Sequence, residues 1–219
     1  MQEKQKFILV VLSRLKRKYG NRPKTRLKFL TPWQLLVSTI LSAQATDASV
    51  NKATSRLFKL YKTPEDFAKL KPSQLYAFTK SIGLYKGKSS NIIKTAKILV
   101  KNFNSKVPKS ISKLVLLPGV GRKTANVVLS EAYGINEGIA IDTHCITVSN
   151  RLGLTDSKNP EKIERVLMDI VPNSEWGSIT NLFIALGRDT CTAKNRHCSK
   201  CVLKDICPSS TVALKEVRK

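Results

Sequence analysis

Residues 114–128 read LVLLPGVGRKTANVV, two apolar helical stretches joined by Leu117-Pro118-Gly119-Val120-Gly121. Glycines at Gly119 and Gly121 allow a tight turn whose successive N–H groups point outward at the start of the next helix, where the positive end of the helix dipole adds to them. Such a turn can hold a phosphate of a nucleic-acid backbone without reading base sequence, with Arg122 as a further cation. It is not a P-loop, because the Gly-x4-Gly-Lys-Ser/Thr spacing is absent. The plainer reading is an αα-hairpin whose glycines only permit close packing. Lys123 follows in the first helical turn, where the dipole and Arg122 both oppose a positive charge. A lysine that gives up its proton there is a nucleophile able to form a Schiff base with a sugar aldehyde carbon; otherwise it is one solvated lysine among many.

Asp142 precedes Thr143-His144 at an expected helix start, so an N-cap is its ordinary role. Geometry permits more. Ten residues of helix after Lys123 climb about 15 Å and an extended return over 135–142 can span about 26 Å, so Asp142 can come back level with Lys123. His144 is expected in a buried or capping place and His197 in a loop. Four cysteines lie close together as Cys191-x6-Cys198-x2-Cys201-x5-Cys207, with Cys145 apart from them. In an intracellular chain this pattern points to metal and not to disulfides. Zinc knuckles usually repeat Cys-x2-Cys twice and here one short pair exists, so a larger cluster fits the uneven spacing better. Lys194 and Arg196, with Lys200 and Lys204, would stand on its rim as cations suited to docking on DNA.

Lys plus Arg number 39 against 15 Asp plus Glu, a formal net charge of +24 in 219 residues, while 42% of residues are hydrophobic. A chain with that apolar content buries a core, so the excess cation belongs on a folded surface and a polyanion is the expected partner. The apolar run Phe7–Leu12 is too short for a membrane span and leads into Arg14, Lys16, Arg17 and Lys18, so an intracellular protein without a membrane partner is expected. Apolar residues recur at helical spacing almost everywhere, which predicts an all-α fold. Thr31-Pro32, Thr63-Pro64 and Asn159-Pro160 mark helix starts, and Gly83 and Gly134 mark stops. These signals predict helices near 3–19, 32–44, 47–61, 64–70, 72–82, 86–103, 110–116, 122–133, 143–152, 160–170 and 174–188. Segment 135–142 is predicted to be an extended return strand. No Gly-, Ser- or Pro-rich linker separates halves, so two domains would be packed lobes.

LPGVGRKTANVV, the later IDTH, LLVSTILSAQATD around Gln44, GLYKGK at Gly83 to Lys88 and the cysteine spacing stand in one order along the chain. In this the chain resembles the endonuclease III family, the bifunctional helix-hairpin-helix DNA glycosylases and abasic-site lyases, from about residue 5 to 208. The resemblance implies Lys123 as the Schiff-base nucleophile, Asp142 as the assisting carboxylate, and Cys191, Cys198, Cys201 and Cys207 as ligands of a [4Fe–4S] cluster. It implies that Gln44 and Leu84 fill the stack when a damaged nucleotide is flipped out. The implied fold is a six-helix lobe, 23–135, holding the hairpin at about 110–133. A second lobe of 1–22 with 136–219 carries the cluster loop 191–207, and DNA lies across the cleft. Thr147 stands where the family commonly has arginine, Leu186 where a histidine is common, and the loop before Ile139 is one residue longer.

The function so implied is removal of a damaged, oxidised pyrimidine from double-stranded DNA by a monomer, followed by strand cleavage through β-elimination. Three readings compete. A monofunctional adenine or mismatch-thymine glycosylase of the same superfamily would lack a lysine at the position of Lys123. A noncatalytic iron–sulfur DNA-binding protein would fail to incise abasic DNA. An iron–sulfur electron carrier is disfavoured by the charge and the hairpin.

Overall fold

A capping side chain before proline decides where three helices begin. In the computed structural model, which describes residues 2–212, Thr31 accepts from the Gln34 amide and Asn159 from those of Glu161 and Lys162. Thr63 and Asp66 exchange side chain-to-backbone bonds in a capping box. Among the described residues eleven α-helices follow one another: α1 Gln2–Tyr19, α2 Pro32–Ser42, α3 Asp47–Leu60, α4 Pro64–Ala68, α5 Pro72–Thr79, α6 Tyr85–Asn102, α7 Ile111–Leu114, α8 Arg122–Val128, α9 Thr143–Arg151, α10 Pro160–Ile170 and α11 Trp176–Asp189. Helix α8 runs on into a π-helical turn, Leu129–Tyr133, and Gly134 ends it with a left-handed φ of 67°. The all-α class expected from the periodicity is what the structure has; no strand occurs among the described residues. The extended strand expected at 135–142 is therefore corrected. This connector has no neighbouring strand to pair with, and its backbone is tied down by side chains instead.

The chain divides into two compact units, Thr25–Glu137 and Met1–Lys24 with Gly138–Lys219. In the first, every residue of α2 from Trp33 to Leu41 is buried. A helix buried on all sides, polar Gln34, Ser38 and Thr39 included, lies inside its unit, and α3, α6, α8 and the π-helical turn after α8 pack against it. Phe67 is fully buried, with Trp33 edge-on at 5.1 Å and Tyr61 at 6.1 Å between ring centroids. The last residues of α2 lead straight into the Gln44 loop, so a rigid buried helix carries an exposed candidate residue at its end.

In the second unit, α1 buries Ile8, Val11, Leu12 and Leu15, one stripe at helical spacing, against a core that includes Leu182 and Phe183 of α11. Charge then ties the N-terminal helix to C-terminal segments. Lys16 meets Glu175 at 2.6 Å, Lys18 meets Asp189 at 2.6 Å, and Arg14 meets Asp205. Lys18, Tyr19 and Thr190 all donate to the Asp189 carboxylate and bring its pKa down to about 2. A carboxyl depressed in the folded state adds stability above its unfolded pKa and loses it as pH falls through the folded one. The gap in urea midpoint between wild type and Asp189→Asn is therefore expected to be full at about pH 6 and to close as pH falls from about 4 towards 2.

Candidate functional site

Helix α7, the turn 115–121 and α8 form the hairpin in the first unit, and α6 supports it. Thr95 Oγ1 of α6 donates to the Pro118 carbonyl at 3.0 Å. Gly119 has φ 78°, and a Cβ there would stand 2.9 Å from Asn91 Nδ2. Both its backbone angle and its packing require glycine, so the packing reading holds for this residue. Gly121 differs. Its φ of −87° and ψ of 174° suit any residue, it is exposed, and a Cβ added there would meet nothing within 4 Å beyond its chain neighbours. Of the two glycines read as allowing the tight turn, only Gly119 takes an angle closed to other residues. Clearance at Gly121 is toward solvent, on the turn from which Arg122 and Lys123 project, both exposed.

Gln44 and Leu84 come together in the same unit. Both are exposed, Leu84 at 68%, which rules out a core role for it. Both take the left-handed backbone, at φ 55° and 59°. Gly83, expected as the helix stop, keeps an ordinary φ, and the neighbouring Leu84 bears the turn instead. A Cβ on Gly83 would lie 3.9 Å from the Gln44 carbonyl oxygen, so the two loops run side by side. Non-glycine residues held in this region cost on the order of 1 kcal/mol each and persist only where the surroundings impose them.

Asp142 belongs to the second unit and does cap α9: its Oδ1 accepts from the Cys145 amide at 2.8 Å. The buried segment Ile139–Ile141 fixes it from behind. The Ile139 amide donates to Glu164 at 3.2 Å, and Thr180 Oγ1 donates to the Ala140 carbonyl at 2.9 Å. His144 is half-buried against Gly187, where a Cβ would come within 2.5 Å of its Nδ1. Cys145 is a core residue of this unit.

The remaining four cysteines are free thiols that line one pocket, together with Arg151, Thr190, Arg196, Lys204, Ser209 and Ser210. Tetrahedral zinc at about 2.3 Å from each sulfur needs its thiolates within about 3.8 Å of one another. Among the described residues no three Cys, His, Asp or Glu side chains are grouped to hold a metal ion. Four thiols around a shared pocket, with cations in its wall, are a donor set that fits an iron–sulfur cluster. Arg151 anchors the loop: its guanidinium donates to the carbonyls of Cys191, Thr192 and Ala193 and to Cys191 Sγ at 3.2 Å. Arg196, expected on the outer rim, donates to the Ser209 carbonyl at 3.0 Å and so also closes the loop; Lys194 is exposed. Composition did not single out Arg151 or Lys88. For Lys88 a signal existed, because it lies four residues before Ile92 on the buried stripe that continues to Ala96 and Leu99.

A family model for HhH-GPD superfamily base excision DNA repair proteins matches residues 37–173. Endonuclease III of Escherichia coli K12 is 43% identical over 91% of this chain and 93% of its own length, and that of Bacillus subtilis 44% identical over 80% of each. The chain belongs to the endonuclease III family. A solved structure of a trapped endonuclease III–DNA covalent intermediate matches with a TM-score of 0.89 and 38% identity, over 96% of this chain and 98% of that one. A thermostable thymine-DNA glycosylase shares the fold, with a TM-score of 0.83 at 22% identity. The two positions expected to depart from the family pattern have local contacts of their own. Thr147 Oγ1 donates back to the Thr143 carbonyl at 2.8 Å, and Leu186 is buried in the core of its unit. No helix among the described residues is long and apolar enough to cross a membrane.

The two hairpin glycines separate by experiment. Gly119→Ala is expected to lower unfolding stability by about 1–3 kcal/mol, through φ and the Asn91 contact. Gly121→Ala is expected to stay within about 0.5 kcal/mol of wild type in the same urea titration.

Proposed function

We propose that the chain is a bifunctional DNA glycosylase and abasic-site lyase of base excision repair, acting as a monomer on oxidised pyrimidines in double-stranded DNA. The observation that carries this is the near full-length likeness to endonuclease III, including a trapped DNA covalent intermediate, together with an exposed lysine directly after the hairpin turn. Four free thiols lining one pocket suit a reducing intracellular compartment.

Lys123 Nζ attacks the sugar C1′ with its lone pair, and the glycosidic bond breaks with its electron pair leaving on the base, which takes up a proton. Loss of a proton from the nitrogen and opening of the C1′–O4′ bond, with O4′ taking up a proton, then give an imine. The resulting imine acidifies the C2′ proton, and loss of that proton expels the 3′ phosphate. Asp142, anchored through Oδ1, has a second carboxylate oxygen for the positive charge that develops on the sugar. Gly119, Gly121 and Arg122 hold a backbone phosphate at the turn, and Lys194 adds a cation. Gln44 and Leu84 occupy the space of the extruded nucleotide. Cys191, Cys198, Cys201 and Cys207 would hold a [4Fe–4S] cluster, which supplies a rigid cross-link to the 191–207 loop when bound.

Borohydride reduces the imine and so reports the nucleophile. Lys123→Gln is expected to lose the trapped covalent complex entirely while keeping abasic-DNA affinity within about tenfold, since the turn and the cations remain. Trapping at wild-type yield would move the nucleophile elsewhere. Asp142→Asn keeps a capping oxygen and loses the charge. Single-turnover base excision should slow by about 100-fold or more while stability changes by about 1 kcal/mol or less. Equal damage to both would leave Asp142 as a cap alone. Protein purified without oxygen should be brown, with about four iron and four sulfide per chain and little zinc, whereas a colourless zinc protein would reject the cluster.

A further inference from the structure

Lys88 is the only lysine or arginine buried among the described residues, at 6% exposure. Burying an ammonium is costly unless hydrogen bonds replace its water. Its Nζ donates to the carbonyl oxygens of Leu41 at 2.9 Å and Ala43 at 2.5 Å, at the C-terminal end of α2, where a helix leaves carbonyls without partners and favours a cation. Burial holds its pKa below the usual lysine value. Through the main chain the same residue holds the other loop, since its amide donates to the Leu84 carbonyl at 3.1 Å. One residue thus bonds the backbone just before Gln44 and that of Leu84. These are the loops whose exposed tips both carry a left-handed, β-carbon-bearing residue.

We propose that Lys88 is a positioning residue that locks the Gln44 loop and the Leu84 turn into one rigid pair, so that both side chains enter the DNA stack as a unit. The proposal rests on the reading of Gln44 and Leu84 as stack-filling residues. Neither side chain needs to touch the other for this. Their shared frame is the ammonium with its carbonyl partners, and its stiffness sets the geometry in which a nucleotide can be displaced. A lysine serving only to cap α2 would add stability and leave lesion recognition unchanged.

The test is a double-mutant cycle on the cluster-loaded protein, with Gln44→Ala and Leu84→Ala singly and together, in parent and Lys88→Met backgrounds. Two quantities are read: the ratio of Kd for intact duplex to that for a thymine glycol duplex, and fluorescence of 2-aminopurine placed beside the lesion. With Lys88 present, the two alanine effects on the ratio should be non-additive by about fivefold or more. Lys88→Met should lower the ratio by about tenfold, reduce the 2-aminopurine signal and make the alanine effects additive. Lys88→Arg, which keeps charge and donors, should recover most of the ratio. If Lys88→Met lowers only the melting midpoint, with ratio and coupling as in the parent, the proposal is overturned. Where Lys88→Met does not fold, Lys88→Gln is read in the same way and decides the matter. If neither alanine substitution changes the ratio in the parent, the stack-filling reading fails and the proposal falls with it; if both do and Lys88→Met leaves their coupling intact, only the proposal fails.

Discussion

A helix ends with backbone groups that have no partner within it, and in a small helical unit many such ends lie too deep for water to serve them. In this protein some of the groups that satisfy exposed backbone at helix ends and in the loops beyond them are candidate functional residues or their immediate supports. Asp142 takes an amide at the start of α9. Lys88 takes two carbonyls at the end of α2. Arg151 takes three carbonyls just beyond α11, on the loop that carries the first cysteine. Structural capping and functional placement are therefore one requirement here, since each cap fixes the segment from which a reactive or contacting group projects.

The same economy explains how so basic a chain folds. A net charge of +24 repels itself in the compact state, and few carboxylates exist to offset it. Asp189, Glu175 and Asp205 are placed where they neutralise lysines and an arginine of α1, fastening the N-terminal helix to the segment that leads into the cysteine loop and to the loop itself. Much of the remaining cation is exposed, including Lys123, Arg122 and Lys194. A DNA backbone supplies the counter-charge that the protein lacks, and releasing counterions on binding makes that attraction strong at low salt.

Strain sits where the chain has to present side chains outward. Gln44 and Leu84 hold a conformation that glycine would adopt freely, and a glycine is available next to Leu84. A glycine in that conformation would present no side chain. The cost of a left-handed leucine is borne because the buried helix α2 and the first turn of α6 leave the loop no alternative path.

Much of the architecture was legible in local sequence. Thr31, Thr63 and Asn159 announce their helices because a cap and a following proline act within three residues. The hairpin, the cysteine set and the all-α class follow from spacings of the same short range. The two kinds of glycine in the hairpin did not, because Gly119 is decided by Asn91 on another helix and Gly121 by open space. The connector 135–142 read as a strand, but whether an extended segment becomes one depends on a neighbour, and here Glu164 and Thr180 hold its backbone instead. Lys88 is one lysine in a run that also holds Lys86, and sequence treats them alike apart from a weak register with Ile92. Only the tertiary structure separates them, because the carbonyls that make burial of a charge tolerable lie more than forty residues away in the chain, at Leu41 and Ala43.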